Sequence, residues 1–173
     1  NSITFIKIYA EDKLALFFLL IFFSLVFFVF IGPYFTLQNP YDLAQLSILD
    51  SLMPPMSKSF EDDLFYLGTD DQGRDLVSAI IYGLRISLFV GLISVIIALL
   101  IGIVLGIISA YYGGIIDSII MRIADMVLAM PSFLIALVLL SILGRGLENV
   151  IIALVMSQWA TFARVIRSSA LSE

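Results

Sequence analysis

Long stretches without a charged residue are the feature that most restricts how this chain can fold. A helix needs about 20 apolar residues to cross the hydrocarbon core of a membrane. Four apolar blocks follow one another along the chain, at residues 14–31, 86–116, 126–144 and 149–163. The fourth block is short, but it reaches the required length if Arg164 extends its charged end to the membrane surface. The sequence therefore predicts an all-α integral membrane protein with four transmembrane helices.

The composition agrees with this class and argues against most catalytic and binding classes. Hydrophobic residues make up 61% of the chain, well above the share in soluble domains. Cysteine and histidine are both absent, which removes thiolate nucleophiles, imidazole bases and the usual zinc ligands. The sequence has no phosphate-binding P-loop, GxSxG elbow or HExxH pair. With a net charge of −5 it also lacks the basic patch of a nucleic-acid binder. We therefore expect no catalytic residue, cofactor, metal site or nucleic-acid partner.

The orientation in the membrane is predicted from the basic residues. The first block runs into Phe30-Ile31-Gly32-Pro33 instead of a small-residue cleavage site, so we interpret it as an uncleaved anchor. Four spans place both ends on one side, and basic residues favour the cytoplasmic side for those ends, by five (Lys7, Lys13, Arg122, Arg164, Arg167) to four (Lys58, Arg74, Arg85, Arg145). Residues 33–85 are then extracytoplasmic, and we expect residues 32–65 to form an irregular loop with one helical turn. This loop is either a tether or a docking surface for a soluble partner.

Small residues recur every three or four positions along the second block, which places them on one helix face. Such a face lets another helix approach closely within a membrane. We predict tight packing against a helix of this chain or of another subunit, in preference to a role in lining a pathway. The predicted helix-packing face consists of Ser87, Gly91, Ser94, Ala98, Gly102, Gly106, Ala110 and Gly114.

Polar and ionisable residues at the edges of the last two blocks are the candidates for a pathway or gate. Arg122 and Asp125 are three residues apart on a predicted helix, close enough to pair. The pair is either structural or a fixed element at the cytoplasmic mouth of a pathway. Pro131 should kink the third helix near its middle. The candidates are Arg122, Asp125, Pro131, Ser132, Asn149 and Ser157.

A dense polar turn, which we call the elbow, precedes the second block. Gly68 and Gly73 permit backbone angles that other residues avoid, and Thr69, Asp70 or Asp71 can cap the helix that follows. The acids do not have the spacing of an EF-hand calcium loop. We interpret the elbow as an extracytoplasmic turn at the membrane surface. It comprises Gly68, Thr69, Asp70, Asp71, Gly73, Arg74 and Asp75.

The ordered motifs resemble those of a known family. Residues 67–75 are similar to an LGTDxxGRD run, and residues 82–88 to its YGxRxSL continuation. Residues 110–117 resemble the short cytoplasmic turn that follows, and residues 121–132 the third helix. Together they resemble the permease subunits of peptide and nickel ABC importers, specifically the second permease of the pair. The resemblance covers almost the whole chain.

The resemblance implies a type I importer permease fold with six helices, in the inner membrane of a prokaryote. It implies four kinds of partner: a homologous permease, two cytoplasmic ATPases, an extracytoplasmic solute-binding protein and membrane lipid. The coupling loop with its EAA motif would begin just after Glu173, so this chain is expected to be truncated before that loop. Because the chain starts with Asn, we also expect its native start to lie elsewhere.

Peptide uptake is the leading functional hypothesis from this resemblance, with ATP hydrolysis in the partner subunits. Nickel uptake is the alternative within the family, and the absence of His and Cys counts mildly against it. A hypothesis of another class is a receptor or assembly anchor without transport activity, built on a four-helix bundle. We divide the chain into an anchor, loop and elbow at residues 1–85 and an incomplete permease core at residues 86–173.

Overall fold

The computed structural model describes residues 12–60 and 62–172. Its described residues are mostly helical, with one small antiparallel hairpin that pairs β1 (Ser57–Lys58) with β2 (Leu64–Phe65). The α-helices are α1 (Lys13–Ile31), α2 (Leu76–Tyr112), α3 (Gly114–Ala129), α4 (Ser132–Leu143) and α5 (Leu147–Ser172). Packing divides these residues into two units, one ending at Ile86 and one beginning at Ser87, with the boundary inside α2. The functional division at residues 85 and 86 stays a prediction.

The first helix is apolar on all sides. Asp12 caps its start, since its carboxylate accepts hydrogen bonds from the backbone of Leu14 and Ala15. Val29 is buried near its end, whereas most of its phenylalanine and leucine side chains are exposed. A helix that is hydrophobic all round is typical of a membrane span. Its exposed surface is suited to lipid or to other membrane helices.

The segment between α1 and α2 is more ordered than the sequence predicted. Three 3₁₀ turns, at Gly32–Tyr34, Leu43–Gln45 and Ile48–Asp50, precede the hairpin in its described part. The expectation of one helical turn in an irregular loop was therefore wrong. Asp50 is buried here and accepts hydrogen bonds from the Ser59 hydroxyl and the Phe60 backbone. Side-chain caps and turns of this kind satisfy the backbone where no long element can form.

The second helix begins earlier than its uncharged block. It starts at Leu76, so Arg85 lies inside the helix and not in the preceding loop. Asp75 precedes this first turn and is the capping side chain, accepting hydrogen bonds from the backbone and hydroxyl of Ser78. The prediction that Thr69, Asp70 or Asp71 caps the helix was wrong, because the Thr69 and Asp70 side chains bond the elbow and the segment before it, and Asp71 is exposed.

The third predicted span is broken and not merely kinked. The helices α3 and α4 meet at 93° across Met130 and Pro131. Met130 has extended backbone angles (φ −97°, ψ 138°), which is what a following proline favours. The predicted kink in a continuous helix was therefore wrong, since the helix ends before Pro131.

The span count follows from these bounds. By length and composition, α1 (with the 3₁₀ turn after it), α2 and α5 can each cross a membrane in the described part of the chain. The bent pair α3 and α4 adds a fourth crossing if it counts as one span. The predicted class of an all-α membrane protein is confirmed, with three or four spans.

Small residues build the core of the second unit. Short side chains let α2, α3 and α5 approach one another, as expected for helix packing in lipid. Trp159 is the bulkiest of the buried residues, and Leu105, Met121 and Phe162 pack around the cluster. The buried cluster consists of Ala98, Ala124, Val155, Trp159, Ala160 and Ala163.

Candidate functional site

The middle of the predicted packing face is buried. Its buried residues are Ser94, Ala98, Gly102 and Gly106, and its half-buried ones are Gly91 and Ala110. The two ends differ, since Ser87 is exposed and Gly114 is the exposed first residue of α3. The buried part of the face therefore lies in the second half of α2.

The partner of this face is α5 of the same chain. A Cβ added at Gly102 would overlap the side chain of Phe162 and the backbone of Ala163. One added at Gly106 would lie 2.7 Å from the Ala163 carbonyl oxygen and 2.9 Å from the Ile166 Cβ. These distances are shorter than ordinary contacts, so only glycine lets α2 and α5 pack at this separation.

One ion pair joins three helices next to this contact. Arg167 on α5 donates from Nε and Nη2 to the two carboxylate oxygens of Asp117 on α3, the second bond measuring 2.6 Å. Ser109 on α2, itself fully buried, donates its hydroxyl to the same carboxylate. Bonds from a guanidinium to both oxygens of a carboxylate fix geometry as well as charge. Asp117 is therefore the residue on which α2, α3 and α5 converge.

A second ion pair links α3 to α5 further along. Asp125 pairs with Arg164, and both side chains are more than half exposed (59% and 53%). The predicted partner of Asp125 was Arg122, and that prediction was wrong. Arg164 reaches Asp125 from the neighbouring helix, which sequence spacing cannot show. Among the described residues, Arg122 makes no ion pair.

The two ion pairs lie in one open polar groove of about 530 Å³ between α3 and α5. Arg122 lines the same groove, so three cations and two carboxylates face a shared, solvent-accessible space. Ionisable groups at the ends of membrane helices usually face water or protein. The groove is lined by Asp117, Ser118, Met121, Arg122, Asp125, Arg164, Arg167 and Ser168.

Three of the other gate candidates, Pro131, Ser132 and Asn149, lie at helix ends. Pro131 and Ser132 form the corner where α4 begins. Asn149, in the first turn of α5, donates its side-chain amide to the carbonyls of Leu143 (2.9 Å) and Gly144 (3.1 Å) at the end of α4. It therefore fastens the tight connection between the two helices. The last of the four, Ser157, is buried within α5.

Ser157 is bonded within its own helix, since its hydroxyl donates to the Leu154 carbonyl at 2.9 Å. The structure does not bring it together with Arg122 and Asp125, which line the polar groove. The six candidates are thus spread over the groove, the corner, the α4–α5 connection and the interior of α5.

A second, apolar groove of about 300 Å³ lies at the corner between α3 and α4, against α5. Three methionines contribute to it, and methionine adapts its shape readily to different contacts. It is lined by Met126, Val127, Met130, Leu134, Ile135, Val138, Leu139 and Met156.

The elbow is held by hydrogen bonds to the segment before it. The Thr69 hydroxyl, which is buried, accepts from the Met53 backbone at 2.8 Å and donates to the Asp50 carbonyl. The Asp70 carboxylate accepts from the backbone of Gln72 and Arg74, both at 2.9 Å, and so closes the turn.

The two elbow glycines are required by this close packing. Gly68 and Gly73 have positive φ angles of 80° and 76°. A Cβ at either position would collide with the backbone, at the Met53 carbonyl for Gly68 and the Ser47 carbonyl for Gly73. Asp71 is exposed, and Arg74 lies 3.9 Å from the Asp70 carboxylate. The elbow is therefore a folded turn within the first unit.

Four residues of the site were not predicted from the sequence: Ser109, Asp117, Arg164 and Arg167. The sequence does contain a signal for this region of charged residues, because the acids stand just before one apolar block and the arginines just after another. Residues at helix ends on the same side of a membrane can meet. Which acid meets which arginine depends on how the helices cross, so the sequence could indicate the region but not the pairs.

Comparison with known proteins agrees with this architecture. Residues 102–173 match a family described as binding-protein-dependent transport system inner membrane component. These residues contain the second half of the packing face and the whole polar groove. The matched part therefore coincides with the second unit, apart from its first turns.

Individual relatives extend the similarity over most of the chain. The dipeptide transport system permease protein of Haemophilus influenzae is 36% identical over 83% of this chain and 48% of its own length. The oligopeptide transport system permease protein of Bacillus subtilis is 36% identical over 94% of this chain and 50% of its own length. The nickel transport system permease protein of Escherichia coli is 32% identical over 77% of this chain and 46% of its own length. The chain spans about half the length of these relatives.

These matches confirm the resemblance that the motifs indicated. The described part of the chain is helical and apolar, as expected of a membrane component. The chain belongs to the family of inner membrane components of binding-protein-dependent transport systems.

Proposed function

We propose that the protein containing this chain is a permease subunit of an ATP-driven importer and forms half of a pathway for di- or oligopeptides. A homologous permease would form the other half. An extracytoplasmic binding protein would deliver the solute, and two cytoplasmic ATPases would supply the energy. The proposal is supported by the family match and by relatives whose names specify dipeptide and oligopeptide transport.

One structural observation carries the mechanical part of the proposal. The end of α5 is fixed to α2 by the glycine contacts and to α3 by Asp117, which bonds Arg167 and Ser109. In the family the coupling loop follows this helix. A displacement of that loop would therefore be transmitted through α5 to α2 and α3, and so change the opening of the pathway.

The ionisable side chains of the polar groove are assigned a structural role. Asp117 and Asp125 are both engaged by arginines in the polar groove. ATP hydrolysis is assigned to the partner ATPases, and this chain contributes helix positions to the pathway.

Nickel is the second candidate solute, because one relative is a nickel transport system permease protein. Glutathione is a third, since another relative, from Pectobacterium atrosepticum, is named a glutathione transport system permease protein and is 36% identical over 76% of this chain. Glutathione is itself a tripeptide, so it falls within the chemical class we propose. The peptide relatives cover more of the chain, which favours peptides over nickel.

The test is solute uptake by the full-length protein, reconstituted in proteoliposomes with its partner permease, ATPases and binding protein. ATP-dependent uptake of a radiolabelled dipeptide or tripeptide, competed by unlabelled peptides and not by nickel, would support the proposal. Uptake of nickel alone would establish the alternative. A complex that assembles but transports none of these solutes would favour the receptor or anchor hypothesis.

A further inference from the structure

The polar groove contains one more cation than its ion pairs use. Asp117 and Asp125 on α3 are paired with Arg167 and Arg164 on α5, while Arg122 lies between the two acids along α3. We propose that Asp125 exchanges between Arg164 and Arg122, and that this exchange opens and closes the groove about a fixed Asp117–Arg167 pivot.

The Asp117–Arg167 pair has the properties of a pivot. Its side chains are about one-fifth and one-third exposed (20% and 31%). Two nitrogens of the arginine bond the carboxylate, and the Ser109 hydroxyl adds a third bond from α2. Breaking this pair would leave the guanidinium without a partner and the carboxylate with the Ser109 hydroxyl alone, so the pair is costly to separate.

The Asp125–Arg164 pair has the opposite properties. Both side chains are more than half exposed, and a single nitrogen of Arg164 makes the bond. Exposed pairs of this kind contribute little to stability because water and salt screen them. The two ends of the groove therefore differ in strength, and a force on α5 would separate the Asp125 end first.

Arg122 supplies the second partner. It is three residues before Asp125 on α3, a spacing at which side chains on a helix can pair. It lines the same groove and makes no ion pair among the described residues. When Arg164 leaves, Asp125 can bond Arg122 without any change of backbone in α3. The carboxylate stays compensated in both arrangements, which is the requirement for two states of similar energy.

This inference rests on the proposed function for its consequence but not for its geometry. If the chain serves a permease, the exchange lets α5 swing away from α3 while Asp117 holds the helix end in place. Arg122 is then a positioning residue that stabilises the open groove, and Arg164 one that stabilises the closed groove.

The test measures distances by pulsed electron resonance in the full-length protein in lipid nanodiscs, with any cysteines outside these residues replaced. Spin labels at Ile123 and Val165, both exposed, report the Asp125 end of the groove. Labels at Ile115 and Leu171, also exposed, report the pivot end. Arg164→Gln should raise the ratio of long to short distances at the first label pair about two- to fivefold, and Arg122→Gln should lower it by a similar factor. The second label pair should not change.

The controls separate charge from misfolding. Arg122→Lys keeps the cation and should resemble the wild type, and Arg145→Gln removes an arginine outside the groove and should have no effect. Asp125→Asn removes the exchanging group, so adding Arg122→Gln to it should produce no further change. The proposal is overturned if Arg122→Gln leaves the distances unchanged, or if it shifts them in the same direction as Arg164→Gln. These distances are measured without transport, so the two proposals can fail separately. A protein that takes up no solute would refute the proposed function, and the measured distances would still test the exchange.

Discussion

Asp117 and Arg167 are fifty residues apart in the chain and form an ion pair through both carboxylate oxygens and two guanidinium nitrogens. The pair joins the first turn of α3 to the end of α5, and the hydroxyl of Ser109 ties it to α2. It has more hydrogen bonds and less exposed side chains than the Asp125–Arg164 pair between the same two helices.

Removing the charge of Asp117 should loosen three helices at once. In Asp117→Asn the amide cannot accept from both arginine nitrogens as the carboxylate does, so the thermal unfolding temperature and solute uptake should both fall. Asp125→Asn is the matched control, because its pair is exposed, and it should lower the unfolding temperature less. Exchanging the charges in Asp117→Arg with Arg167→Asp should restore part of the loss. Equal unfolding temperatures for the two asparagine variants would contradict the ranking.

Enlarging Gly106 should separate α2 from α5. Gly106→Leu places its side chain against the Ala163 carbonyl and Ile166, and overpacking of this kind costs about 1–3 kcal/mol. Gly91→Leu is the matched control on the same helix. Apart from its chain neighbours and the backbone of its own helix, no described atom lies within 4 Å of a Cβ built at Gly91. The measurement is the unfolding of the purified full-length subunit in detergent. A control variant as unstable as Gly106→Leu would show that the loss is not due to the α5 contact.

The elbow should not tolerate a side chain at its glycines. Gly68→Ala forces alanine into a positive φ angle and against the Met53 carbonyl, and such strain costs about 1–3 kcal/mol. Gly83→Ala is the control, because that glycine lies in α2 with open space around its Cβ position. Limited proteolysis between α1 and α2 reports the result. We expect faster cleavage for Gly68→Ala alone, and identical cleavage of both variants would refute the strained-turn interpretation.

The orientation can be tested by thiol labelling, since this chain contains no cysteine. Single cysteines at Asp71 and Ser169, both exposed, should differ in their access to a membrane-impermeant reagent. In intact spheroplasts Asp71→Cys should be labelled, whereas Ser169→Cys should be labelled after permeabilisation only. The reverse pattern would place the elbow in the cytoplasm and contradict the predicted orientation.

The sequence predicted the helix-packing face more fully than the ion pairs. The face depends on spacing within one helix, whereas the ion pairs join residues far apart in the chain. A stripe of small residues depends on the helix period alone, so the spacing of Ser94, Ala98, Gly102 and Gly106 is enough to group them on one face. The tertiary fold adds that Gly102 and Gly106 contact α5. The cap of α2 was assigned to the wrong residue because several acids stand close together in the sequence, and the fold shows that Asp75 is the one that bonds the first turn of the helix.

What the sequence by itself determined is the membrane class, the approximate spans and the family, because run length, composition and ordered motifs are properties of neighbouring residues. The tertiary structure decided which charged residues form ion pairs. Asp125 has Arg122 within reach on its own helix and Arg164 within reach on the next, and only the crossing of α3 and α5 selects Arg164. The break at Pro131 is a second example: a proline predicts a disturbance of the helix, but the 93° angle between α3 and α4 is a property of the fold. Local chemistry determines which residues can interact, and packing over long sequence distances determines which of them do.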